Sequence, residues 1–147
     1  MYVLFRMETT PRKNKGLVTG LGVLQVLIGM GAVGGGLALV LEPSGSNLGI
    51  PLEVLKSSPF LTFLVPGIVL LIVNGFGSLV GATASFTRYW RAGEIAIALG
   101  LFLVAWIMLQ VYWFAAFHWL HALYFCIGLL ELVLGWLLRK VLQREVD

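Results

Sequence analysis

Four long apolar runs, separated by short polar segments, constrain this chain more than any other feature. A helix rises 1.5 Å per residue, so roughly 20 residues cross a hydrocarbon core of about 30 Å. Runs at about 17–41, 60–84, 93–114 and 119–139 meet that length. The composition agrees: 59% of residues are hydrophobic and 12% charged, with a mean hydropathy of +0.95, too apolar for an ordinary soluble domain. The expected fold is all-α, a four-transmembrane-helix bundle over 17–140, flanked by tails at 1–16 and 141–147. The first run is too long for a signal-peptide core and lacks a small-residue cleavage site, so it is expected to be retained.

Charge placement predicts direction. Arg6, Arg12, Lys13 and Lys15 precede the first run, Arg88 and Arg91 separate the second from the third, and Arg139, Lys140 and Arg144 follow the fourth. The first connection carries only Lys56, and the turn 115–118 carries no Lys or Arg. The positive-inside rule then predicts a multi-pass protein of the inner (plasma) membrane, with both termini and the middle turn cytoplasmic and the loop 42–59 outside. The net charge of +3 is explained by this topology, and no nucleic-acid partner is expected. Tyr89 and Trp90 suit the inner interface, and Tyr112, Trp113 and Trp119 the outer one. Cys126 is the single cysteine, which excludes an internal disulfide and a CxxC site.

Glycines crowd the first two runs. Gly16 and Gly20, Gly31 and Gly35, and Gly77 and Gly81 are each four apart, a spacing that lets helix backbones approach closely. Gly22, Gly29 and Gly36 recur every seven residues, as do Gly128 and Gly135. These faces predict a tight pairing of the first two spans, with the lipid bilayer as surroundings and a homodimer or larger membrane complex as the alternative use of the glycine faces. Pro66-Gly67, placed about two turns into the second span, predicts a bend there.

The loop 42–59 has three parts. Pro43–Gly49 is turn chemistry, Pro51–Ser57 suits a short interfacial helix, and Ser58-Pro59 reads as a helix start. Its pattern, Glu42-Pro43-Ser44-Gly45, Gly49-x-Pro51-Leu52-Glu53-x-Leu55, then Ser58-Pro59-Phe60 leading to Pro66-Gly67, resembles a group of small four-span bacterial membrane proteins. That resemblance implies a topology and no activity. The overall plan is also loosely similar to the DoxX-like four-helix proteins. If the loop is a lid over an outward cavity, Glu42, Glu53, Gln110, His118 and His121 form its rim.

Depth arithmetic singles out a polar layer inside the membrane. Gln25, Asn74 and Glu131 each fall roughly 12–15 Å from the cytoplasmic side of their spans. A carboxyl there is costly, so Glu131 is expected to face inward with Gln25 and Asn74 as partners. Three readings follow: a structural or accessory bundle, a small transporter or channel built around Glu131, and a redox subunit holding quinone or haem near His118 and His121. No P-loop, GxSxG, HExxH or paired catalytic carboxylates occur, so no catalytic residue and no metal ligand set is assigned.

Overall fold

The computed structural model describes residues 14–114 and 117–146. Arg6, Arg12 and Lys13, and most of the expected N-terminal tail, lie outside them. The described residues form four helices: α1 (Lys15–Leu41), α2 (Leu64–Phe86), α3 (Ala92–Phe114) and α4 (Trp119–Val146). All four are long and apolar enough to cross a membrane. Their outward faces carry large apolar side chains such as Leu27, Met30, Ile72, Val80 and Met108, each more than half exposed. Water would not tolerate so continuous an apolar surface, which identifies a multi-pass membrane protein.

The bundle is two antiparallel hairpins. α1 pairs with α2, and α3 pairs with α4. Lipid is as apolar as leucine, so helices in it associate through close packing and hydrogen bonds. The seven-residue glycines supply that packing inside the chain. A Cβ on Gly22 would strike Phe86, one on Gly29 would meet Leu79 at 2.8 Å, and one on Gly36 would meet Leu71 at 2.7 Å. In the second hairpin, Gly128 lies against Val104 and the Gly100 carbonyl, and Gly135 against Ala96 and the Gly93 carbonyl. Gly16, Gly20 and Gly34 have open space beside them among the described residues, so the first GxxxG pair makes no helix contact there.

The second helix departs from expectation. It begins at Leu64, four residues late, with Phe63 at its N-cap. Pro66 therefore sits in the first turn, where its missing N–H has no helical acceptor to lose, and the expected mid-span proline bend does not arise. The irregularity is farther along: Leu70–Gly77 winds as a π-helix, a widened stretch that contains Asn74. Ser58 is not the helix cap either. Its hydroxyl donates to the Leu55 carbonyl at 2.9 Å and accepts from the Phe60 N–H at 3.2 Å, closing the loop's last turn.

The expected interfacial helix is a short 3₁₀ turn, Leu52–Leu55. Leu55 is buried against Leu39 and Phe63, with Ile50, Val54 and Phe114 around them, so the loop plugs one end of the bundle. Gly45 makes this plug feasible. Its φ of +78° is left-handed, and a Cβ there would press on the Phe63 ring at 2.8 Å. The Phe63 N–H then donates to the Pro43 carbonyl at 2.9 Å, which ties the loop's end to its start.

At the opposite end lie Lys15, Arg88, Arg91, Arg139, Lys140 and Arg144. Here α2 stops in a Schellman motif: the Tyr89 N–H reaches the Ala84 carbonyl and the Arg88 N–H the Ser85 carbonyl. Arg88 occupies the position usually given to glycine, at φ +52°, and its guanidinium pairs with Glu145 at 2.6 Å. α4 continues helical to Val146, so most of the expected tail at 141–147 belongs to the last helix. Its Leu142 joins Val18, Leu21, Ala84, Ala92, Ala96 and Leu138 in a core to which all four helices contribute.

Candidate functional site

The two hairpins meet differently in their two halves. Toward the basic end they are tied by side-chain hydrogen bonds. Gln25 of α1 donates from Nε2 to Glu131 Oε1 of α4 at 3.0 Å, and accepts at Oε1 from the Ser85 hydroxyl of α2 at 2.8 Å. None of the three side chains has exposed surface. Gly81 is the reason Gln25 fits, because a Cβ there would lie 2.9 Å from its Nε2. The amide thus uses both of its ends, as a donor to the carboxyl and an acceptor from the hydroxyl. Glu131 Oε2 has no partner among the described residues.

Asn74 does not join this tie. It lies eleven residues before Ser85, roughly 16 Å farther along α2 at the ordinary helical rise. The expected single polar layer is therefore two levels: Gln25, Ser85 and Glu131 near the basic end, and Asn74 toward the loop end. Gln25 and Glu131 meet as the depth arithmetic expects, but the register of the first hairpin, with Gly22 against Phe86 and Gly29 against Leu79, sets Ser85 rather than Asn74 at their height. Ser85 was missed. Asn74, Ser78 and Ser85 follow one another at four and then seven residues, which puts all three on one face of α2, and all three are buried.

At Asn74's level the hairpins part around a cavity of about 270 Å³. Its walls are mostly apolar, from residues such as Ile28, Leu103 and Ile107. Asn74, Trp106, Gln110, His121 and Tyr124 are the polar-bearing residues of its lining, and Ile50 of the loop reaches it too. Asn74 is 2% and Trp106 8% exposed, and neither Asn74 Nδ2 nor Trp106 Nε1 has a hydrogen-bond partner among the described residues. The Trp106 ring is held by stacking on Phe102, with the planes 11° apart. Ile107 and His121 also line a second, more open groove of about 570 Å³ along α3 and α4, with Met108, Val111, Phe125 and Cys126.

The expected rim around the loop assembles only in part. Gln110 and His121 line the cavity. Glu42 instead accepts a 2.6 Å hydrogen bond from the Ser44 hydroxyl within the loop, and Glu53 is exposed in a shallow pocket of loop residues. His118 stands at the N-cap of α4. Its Nδ1 accepts from the Leu120 N–H at 3.3 Å, while His121 Nδ1 accepts from the His118 N–H at 3.0 Å. This reciprocal pairing is a capping box with histidine in both roles. It accounts for the three-residue spacing and occupies one ring nitrogen of each histidine. Among the described residues no group of three or more His, Cys, Asp or Glu is placed to hold a metal.

No protein-family model, curated protein or solved structure matches this chain.

Proposed function

We propose that this protein is a structural or accessory bundle of the bacterial inner membrane, with loop 42–59 outside and both termini and the α2–α3 turn in the cytoplasm. The orientation rests on six basic residues, Lys15, Arg88, Arg91, Arg139, Lys140 and Arg144, gathered at one end, against Lys56 alone in the loop. The bacterial inner membrane rests on the loop resemblance. Lipid is the partner that covers its apolar flanks. Association with a second copy or a larger complex would use the glycines beside open space, Gly16, Gly20 and Gly34, because the seven-residue series is engaged within the chain.

One observation carries the role: Glu131 is held by Gln25, Gln25 by Ser85, and none of the three has exposed surface or lines either cavity. A transport carboxylate must exchange its protein partner for water or cargo from at least one side. Here the core around Leu21, Ala84 and Leu138 separates it from the basic end, and the apolar layer around Ile28 and Leu103 lies toward the loop end. The carboxyl then works as a tie between hairpins.

The test is flux. Proteoliposomes holding a pH-sensitive dye, with an imposed potassium diffusion potential, are expected to show no proton or cation movement above protein-free vesicles. A flux abolished by Glu131→Gln would overturn the reading in favour of a small transporter.

A further inference from the structure

The basic end carries a second arrangement, apart from the cavity and the Gln25–Glu131 tie. Glu94, in the first turn of α3, is shared by two guanidiniums: Arg91 Nε donates to its Oε2 at 2.8 Å, and Arg139 Nε of α4 lies 3.8 Å from its Oε1. Two positive charges against one carboxylate leave one positive charge over. The side chains of Arg91 and Arg139 are 54% and 47% exposed, so both guanidiniums are open to a further acceptor. Among the described residues the Arg91 guanidinium donates only from Nε, and it is steadied by the Trp90 ring, 5.2 Å away. Arg91 and Glu94 also line an open groove of about 360 Å³ with Tyr89, Ile95 and Ala98. Its two ends differ in chemistry. Ile95 and Ala98 follow Arg91 by four and seven residues on one face of α3, Ala98 roughly 10 Å farther along the helix. Exposed Leu101, Ala105 and Met108 continue that apolar strip.

We propose that this groove binds an anionic glycerophospholipid of the surrounding bilayer, its phosphate against Arg91 and Arg139 and an acyl chain along Ile95 and Ala98. The charges match, since the one surplus positive charge meets the single negative charge of a phosphatidylglycerol-type head. A zwitterionic head would add an ammonium, and its natural partner, Glu94, is already held between two arginines. Arginine suits this role because its planar fork can donate to phosphate oxygens while Nε keeps the carboxylate. A soluble anion would use the charge and leave the apolar strip bare, which is why the occupant is a lipid. Arg91 precedes α3 and Arg139 belongs to α4, so a phosphate held by both also fastens the second hairpin at its basic end. The site requires only the membrane setting, and neither the orientation of the chain nor the role of Glu131 enters it.

Native mass spectrometry of the full chain in a non-ionic detergent would follow titration with dioleoyl phosphatidylglycerol and with dioleoyl phosphatidylcholine, reading the Kd of the first lipid bound. Phosphatidylglycerol is expected to bind about three- to tenfold more tightly. Arg91→Gln and Arg139→Gln should each bring that ratio below about twofold. Lys15→Gln removes a charge at the same end but outside the groove, and should leave the ratio unchanged. Glu94→Gln should raise it, because both guanidiniums then face the lipid alone; a role limited to pairing with Glu94 would lower it instead. Ala98→Phe fills the apolar part of the groove from an exposed position, leaves every charge in place, and should lower the ratio. Equal binding of the two lipids by the wild type, or a ratio that falls in Glu94→Gln or ignores Ala98→Phe, would overturn the proposal. An equal fall in Lys15→Gln and Arg91→Gln would overturn it in favour of diffuse attraction between the basic end and anionic lipid.

Discussion

Replacing Gln25 by leucine tests the tie between the hairpins directly. The substitution keeps the side chain's bulk and removes both hydrogen bonds, the one to Glu131 Oε1 at 3.0 Å and the one from Ser85 at 2.8 Å. Hydrogen bonds between membrane helices contribute about 0.6–2 kcal/mol each, so Gln25→Leu should cost about 1–4 kcal/mol. Ser85→Ala removes only one bond and should cost less than half as much. Glu131→Leu leaves the Gln25 amide without its acceptor. In the double variant that donor is gone as well, so the double should be less damaging than the two single effects added. The expected coupling is about 0.6–2 kcal/mol. Reversible unfolding in bicelles, followed by tryptophan fluorescence, measures all four proteins. Single effects that add to within about 0.5 kcal/mol would refute the tie, since independent sites add that closely and bonded ones do not.

Three further outcomes follow from the packing and the caps. Gly36→Ala places a methyl 2.7 Å from Leu71 and should destabilise the first hairpin by about 1–3 kcal/mol, whereas Gly20→Ala, with nothing within 4 Å, should be neutral or stabilise by up to about 1 kcal/mol; the same unfolding assay decides, and equal effects would refute the contact assignment. His118→Ala should cost about 1 kcal/mol by removing the cap of α4, seen as faster amide exchange at Leu120, and unchanged exchange there would exclude the capping box. Arg88→Gly should lie within about 1 kcal/mol of the wild type, because relief of left-handed strain offsets the lost ion pair, while Glu145→Gln loses the pair and keeps the strain. Thermal unfolding that ranks Arg88→Gly well below Glu145→Gln would contradict that account.

What could be read from the chain alone was local and periodic. Run length set the number of helices, since crossing a fixed hydrocarbon thickness requires a fixed count of residues. Glycines seven apart marked the faces on which backbones approach, and the structure uses Gly22, Gly29, Gly36, Gly128 and Gly135 in that way, within the chain. The burial of Gln25 and Glu131 also followed from position, because a polar group deep in an apolar run has to turn inward. Tertiary structure decided which polar groups meet. The register of the first hairpin, with Gly22 against Phe86 and Gly29 against Leu79, puts Ser85 rather than Asn74 beside Gln25 and so takes Asn74 away from Glu131. The cavity was likewise out of reach, because it exists only where two separately packed hairpins fail to close on each other. Periodicity states which face of a helix points inward. What that face touches depends on the relative height and rotation of helices distant in the chain, and no short stretch of sequence contains those quantities.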